Sequence, residues 1–138
     1  MAQYFTHSEN ETKTLASKIA QRINSGVIAL TGELGVGKTT FVQGFAKGLG
    51  IKDKIISPTF VLIRQHKMVD SRILYHIDLY RLEGKINIKS LGLEEILSFP
   101  DNIVLIEWAE KIKEHLPKST INISLEKLEG SKRVITTY

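Results

Sequence analysis

Gly32-Glu33-Leu34-Gly35-Val36-Gly37-Lys38-Thr39 sets a glycine, four residues, a second glycine, a lysine and a threonine at the spacing of a phosphate loop for nucleoside triphosphates. The chemistry needs those types there. Glycines let the backbone curl so that N–H groups converge on an anion, Lys38 brings a point charge to the outer phosphates, and the Thr39 hydroxyl can ligate magnesium. From average residue frequencies, a chain of 138 residues holds such a match by chance about half a percent of the time. The flanks lower that further. Residues 26–31 read as a short buried strand feeding the loop, and residues 39–49, with Phe41, Val42, Phe45, Ala46 and Leu49 at helical spacing, read as the helix leaving it. Strand, loop and helix in that order is the context the motif requires, and the helix N-terminus adds its dipole to the anion site.

A second set of candidates lies downstream. Ile103-Val104-Leu105-Ile106-Glu107 is four apolar residues ending in an acid, the pattern of a buried parallel strand that carries a carboxylate to its C-terminal edge. In parallel sheets that edge borders the ligand crevice, so Glu107 is the expected magnesium-side carboxylate, either on a metal-bound water or polarising the attacking one. A capping or solvated Glu107 is the plainer alternative. Trp108 follows at once, as a cover for the core or as a stacking or switch residue. In residues 72–80, period two puts Leu74, His76, Asp78 and Tyr80 on one face of a strand and Ile73, Tyr75, Ile77 and Leu79 on the other. The polar face is either solvated or part of a site.

These residues need a scaffold, and the remaining chain supplies its elements. Residues 3–6 read as a short edge strand. Ser8-Glu9-Asn10-Glu11 matches a capping box that starts a helix whose apolar face is Leu15, Ala16, Ile19, Ala20 and Ile23. Gly50 is placed to cap the phosphate-loop helix. Pro58 forces an extended entry into a strand over 60–64, which a turn near 69–71 joins to the strand at 72–80. Residues 91–97 and 109–116 read as short helices, the second stopped by Pro117, and Ile121, Ile123 and Leu125 pair with Val134 and Thr136 across a turn at Gly130. The expected architecture is α/β, a three-layer P-loop NTPase sandwich with a mixed, partly parallel central sheet, in one domain spanning 1–138.

With 42% hydrophobic residues the chain can bury roughly two thirds of its unfolded surface in one core. Its aliphatic runs of four residues fall far short of a membrane span of about 20, and His7 to Glu11 bring polar residues where a secretory segment would be apolar. A cytoplasmic protein with no membrane partner is the expectation. The absence of cysteine excludes disulfides and thiolate metal sites. A net charge of +4 permits an RNA or phosphate partner without requiring one.

Taken together, the phosphate loop with Thr40, Ser57-Pro58-Thr59-Phe60, His76-Ile77-Asp78-Leu79-Tyr80-Arg81, Gly92-Leu93-Glu94-Glu95 and Ile106-Glu107-Trp108-Ala109-Glu110 resemble the TsaE (YjeE) family, the ATPase of bacterial tRNA threonylcarbamoyladenosine synthesis. The resemblance extends over almost the whole chain. The phosphate loop is shared with many families, whereas Ser-Pro-Thr-Phe and His-x-Asp-x-Tyr-Arg in this order are distinctive. Membership implies a magnesium-dependent ATPase that binds ATP and Mg2+. It also implies action with TsaB and TsaD on adenosine 37 of tRNAs reading ANN codons, with TsaD performing the transfer and tRNA reached through the complex. Carried onto this chain, the resemblance makes Gly35, Val36, Gly37, Lys38, Thr39 and Thr40 the phosphate site, Thr39 and Glu107 the magnesium ligands, and Asp78 an essential acid near the γ-phosphate, as base or behind the metal. The segments 57–59 and after Asp78 become nucleotide-sensing switches, and Glu11, Thr12 and Gly130 border the adenine.

Other functions lack their residues. Guanine readers carry Asn-Lys-x-Asp and Asp-x-x-Gly, and neither occurs. A small-molecule kinase, the alternative reading, needs a lid with arginines, yet the loop at 84–90 has none. An RNA-binding module needs interleaved aromatic and basic residues that are missing.

Overall fold

The computed structural model describes residues 1–33, 35–52, 55, 63–84, 87–99 and 101–138. The chain runs β1 (Ala2–Thr6), α1 (Glu9–Gln21), β2 (Gly26–Thr31), α2 (Lys38–Gly48), β3 (Ile63–Lys67), β4 (Ile73–Asp78), α3 (Leu93–Ser98), β5 (Ile103–Glu107), a 3₁₀ helix (Ala109–His115), β6 (Ile121–Lys127) and β7 (Arg133–Thr137). The strands form one sheet in the order β1-β7-β6-β2-β5-β4-β3. Its centre is parallel (β6, β2, β5, β4), and antiparallel neighbours flank it at both ends. This is the mixed, partly parallel three-layer sandwich that the element pattern predicts.

The layers follow from side-chain alternation. Ile28 and Leu30 of β2 join Leu74, Ile103 and Leu105 against α1 and α2, while Val27 and Ala29 join Ile77, Val104 and Ile106 against α3 and the 3₁₀ helix. Strands β2 and β5 are covered on both faces, so their sequences are continuous apolar runs rather than alternating ones. Helix α1 begins as the capping box requires, the Glu11 N–H donating to Ser8 Oγ at 3.1 Å. Helix α2 ends with Gly50 at φ 80°, where the Gly50 and Ile51 N–H groups donate to the Lys47 and Ala46 carbonyls at 3.0 Å each.

Two readings change and one left open is decided. The strand predicted at 60–64 is observed as Ile63–Lys67, residues 60–62 lying outside the described ones. The helix at 109–116 is a 3₁₀ helix kinked at Ile112, a distinction that apolar spacing over so few residues does not encode. The polar face of β4 is not solvated. Leu74, His76 and Asp78 turn inward beneath the α1/α2 layer, with His76 fully buried and Asp78 4% exposed, because β4 lies between β5 and β3. Tyr80 lies beyond the strand and is exposed. Among the described residues no helix is long and apolar enough to cross a membrane.

Helices α1 and α2 meet through glycine. A Cβ at Gly44 would lie 2.4 Å from the Lys13 carbonyl oxygen and 2.5 Å from its Cα, both backbone atoms that cannot swing aside. Gly44→Ala is therefore expected to destabilise the fold by about 1–3 kcal/mol through overpacking, although alanine is the better helix former by about 1 kcal/mol. Urea unfolding checks this, and an unchanged or raised midpoint contradicts it.

Candidate nucleotide-binding site

The phosphate loop sits at the C-terminal end of β2. Gly35 and Gly37 adopt φ of 78° and 106°, values open to glycine at little cost. Gly32, at φ 150°, also needs its missing side chain, since a Cβ there would come within 2.8 Å of the Leu125 carbonyl oxygen. The first internal bond of α2 runs from the Phe41 N–H to the Gly37 carbonyl, and no side chain caps this end. The N–H groups of Lys38, Thr39 and Thr40 are the donors a helix start leaves over. Together with the helix dipole they favour an anion.

Lys38 occupies the focus of the site. It is 6% exposed, its Nζ donates to the Gly32 carbonyl at 2.6 Å, and it lies 4.3 Å from the centre of the Trp108 ring. Burial pushes the pKa of its ammonium down, and the charges of Glu107, Asp78 and Glu110 oppose that shift, in that order. A lysine desolvated among carboxylates, with a main-chain oxygen as its hydrogen-bonded partner, gains strongly from an incoming polyanion.

The carboxylates come from two adjacent strand ends. Register pairs Asp78 of β4 with Glu107 of β5, and Leu30 of β2 with the same Glu107, so Glu107 stands beside the strand that feeds the loop and Asp78 one strand further out. Glu107 is 4% exposed, and one of its oxygens, Oε2, lies 2.7 Å from His76 Nε2. Asp78 Oδ1 accepts from the Tyr80 N–H at 2.9 Å, which fixes the chain as it leaves β4. Tyr80 and Trp108 rings meet at 5.3 Å, and Lys111 Nζ donates to the Tyr80 and Leu82 carbonyls at 2.7 and 2.6 Å. Trp108 holds a left-handed backbone, φ 62°, which is uncommon for a bulky residue and turns the chain directly after Glu107.

On the other side of the loop lies a cleft of ≈ 520 Å³ whose lining includes Thr12, Gly35, Thr39, Thr40, Ser131 and Arg133. Long-range contacts build it. Thr6 is paired with Arg133 across β1 and β7, Thr6 Oγ1 lies 2.7 Å from Thr12 Oγ1, and Arg133 Nε donates to the Val36 carbonyl at 3.0 Å. First strand, first helix, last strand and phosphate loop are thus tied into one wall. Of the residues expected at the base, Thr12 lines this cleft. Glu11 lines a different depression, with Gln3, Tyr4 and Lys18, and Gly130 makes the turn before Ser131, its carbonyl accepting from Arg133 at 3.4 Å. Sequence reasoning missed Arg133 and Ser131, since nothing in a hairpin turn signals which loop it will face. It placed His76 on the right strand face without a partner.

The donor chemistry suits a hard cation. Thr39 and Glu107 offer oxygen, and magnesium in phosphate-loop sites takes one or two protein oxygens with water and phosphate rather than a closed cage. Among the described residues no three His, Cys, Asp or Glu side chains form such a cage. The Ser57–Thr59 switch expectation lies outside the described residues.

Comparison with known proteins agrees with this geometry. The family model described as Threonylcarbamoyl adenosine biosynthesis protein TsaE matches residues 6–135. The tRNA threonylcarbamoyladenosine biosynthesis protein TsaE of Rickettsia bellii is 43% identical over 135 residues, covering 96% of this chain and 92% of that protein. The TsaE protein of Bacillus subtilis is 40% identical over 133 residues, 95% of this chain and 81% of that protein. The crystal structure of Bacillus subtilis YdiB superposes with a TM-score of 0.78 at 33% identity, covering 99% of this chain and 83% of that one. With a phosphate-loop NTPase fold and a family match over nearly its whole length, the chain belongs to the TsaE family of tRNA threonylcarbamoyladenosine biosynthesis proteins.

Proposed function

We propose that the chain is a cytoplasmic magnesium-dependent ATPase required for threonylcarbamoyladenosine formation at position 37 of tRNAs reading ANN codons. It acts with TsaB and TsaD and meets tRNA through their complex. The observation that carries the ATPase reading is the placement of Lys38 at the uncapped start of α2, buried and within the electrostatic reach of Glu107 and Asp78.

On this reading the N–H groups from Gly35 to Thr40 cradle the phosphates, and Lys38 leaves the Gly32 carbonyl for the β- and γ-phosphate oxygens. Thr39 and Glu107 would hold magnesium, which would supply charge neutralisation for the outer phosphates. Asp78 stands beside Glu107 to orient the attacking water. The water oxygen bonds to the γ-phosphorus as the bridging P–O bond breaks, leaving ADP and inorganic phosphate. Thr12 and Gly130 belong to the base end, together with Ser131 and Arg133, and Glu11 supports that end through its N–H bond to Ser8. Trp108, touching both Lys38 and Tyr80, links the phosphate end to the chain after Asp78.

The partner role rests on the charge that phosphoryl transfer needs at the γ-phosphate. Transition-state charge is often neutralised by an arginine that another protein supplies. Of the three arginines near the β3–β4 hairpin, Arg64 lies within β3 opposite His76, Arg72 is tied to Asp70 and the Asn24 carbonyl, and Arg81 is exposed. The test is phosphate release from labelled ATP with and without TsaB and TsaD, read beside tRNA modification over repeated cycles. Slow release alone and faster release with partners is expected. A lone chain already at full rate, modification that proceeds equally without it, or label on a small molecule instead of free phosphate overturns the reading, the last in favour of a kinase.

A further inference from the structure

We propose that His76 is a positioning residue for Glu107: it holds one carboxylate oxygen in place so that the other is presented to the phosphate site. The inference rests on the ATPase reading above.

The contact spans two strands and is fully enclosed. His76 Nε2 lies 2.7 Å from Glu107 Oε2, the short end of the range for a hydrogen bond to a charged acceptor, and the two side chains are 0% and 5% exposed. The other ring nitrogen, Nδ1, is buried and has no hydrogen-bond partner among the described residues. A proton on Nε2 satisfies the carboxylate and leaves Nδ1 with a lone pair rather than an N–H to be satisfied. Packing gives no reason for an imidazole here. Its neighbours on this face of the sheet are Leu74 along β4, Leu105 across on β5 and Arg64 across on β3, and an aliphatic side chain would fill the space without an orphaned nitrogen. What the imidazole adds is the bond to Glu107.

That bond solves a problem of geometry. Glu107 stands at the end of β5 with flexible side-chain torsions, beside a buried ammonium that attracts it. A direct Lys38–Glu107 ion pair would occupy both groups that the nucleotide and its metal require. In the observed arrangement Lys38 donates to Gly32 and Glu107 is held by His76. Partners behind a metal ligand that fix its orientation typically carry 10- to 100-fold of affinity or activity.

Four variants test this: His76→Leu, His76→Gln, which can place an amide N–H near the Nε2 position, Glu107→Gln, and the double variant His76→Leu with Glu107→Gln. In His76→Leu, kcat is expected to fall about 10- to 100-fold. ADP affinity without magnesium should stay within about twofold, and the gain in ADP affinity on adding magnesium should shrink about tenfold. His76→Gln should recover most of both losses, and His76→Leu should cost nothing further once Glu107 is glutamine, since the two act as one unit. In the protein free of metal and nucleotide, the His76 ring-nitrogen NMR signals should report the proton on Nε2 and shift in Glu107→Gln. Should the leucine variant fail to fold, His76→Asn, whose amide is too short to reach Glu107, replaces it. A full magnesium gain and kcat in the variant, or further loss on the Glu107→Gln background, overturns the proposal while leaving the ATPase reading intact. A wild-type chain that binds no nucleotide would instead remove the reading beneath it.

Discussion

Lys38→Ala is expected to weaken ATP binding by at least about 10²-fold and to abolish measurable turnover while the protein remains folded. Each hydrogen bond from a charged donor contributes about 1.5–3 kcal/mol, and Lys38 serves both outer phosphates, which sets that lower bound. The electrostatic setting enlarges the loss. Glu107, Asp78 and Glu110 all act on the Lys38 ammonium, so its removal takes away the positive charge that opposes theirs where a polyanion must bind. Stability should change little, because the side chain is a buried cation whose gain within the protein is a single bond to the Gly32 carbonyl and a contact with Trp108. Titration calorimetry with ATP and a phosphate-release assay measure both effects. Undiminished hydrolysis in purified Lys38→Ala protein would sink the phosphate-loop reading itself.

Glu107→Gln separates chemistry from binding. Glutamine keeps the shape of the side chain and an oxygen that can still accept from His76, so strand β5 and its neighbours should pack as before. The negative charge is lost, and with it the hold on metal and water that the proposed function assigns to Glu107. Hydrolysis should fall by about 10²- to 10³-fold, the scale seen when one preorganised electrostatic group is removed from a site, while nucleotide affinity changes by only a few-fold. Single-turnover rates and equilibrium binding distinguish the two. An equal loss of affinity and rate would mean that Glu107 shapes the loop rather than serving the reaction.

The features legible in the sequence are those that depend on a few consecutive residues. Gly35, Gly37, Lys38 and Thr39 declare the anion site because the required backbone and charge lie within one turn of chain. Ser8 declares the start of α1, and Gly50 the end of α2, by the same local logic. Glu107 was legible because an unbroken apolar run implies a strand covered on both faces, and the acid that ends it must lie at the edge.

Tertiary structure decided everything that joins distant segments. The face of β4 bearing His76 and Asp78 has the same alternation whether it meets water or α2. Its position between β5 and β3 chose the second and set His76 against Glu107, 31 residues away. The cleft wall required β1 to pair with β7 in the register that sets Thr6 against Arg133, and Arg133 to reach Val36 across 97 residues. A slip of one residue in either pairing would turn every side chain of that strand to the opposite face. Register is selected by burial summed over the whole core, and no window of neighbouring residues contains that sum, so this sequence by itself declared a phosphate loop and its fold class, while the sheet determined which side chains stand around that loop.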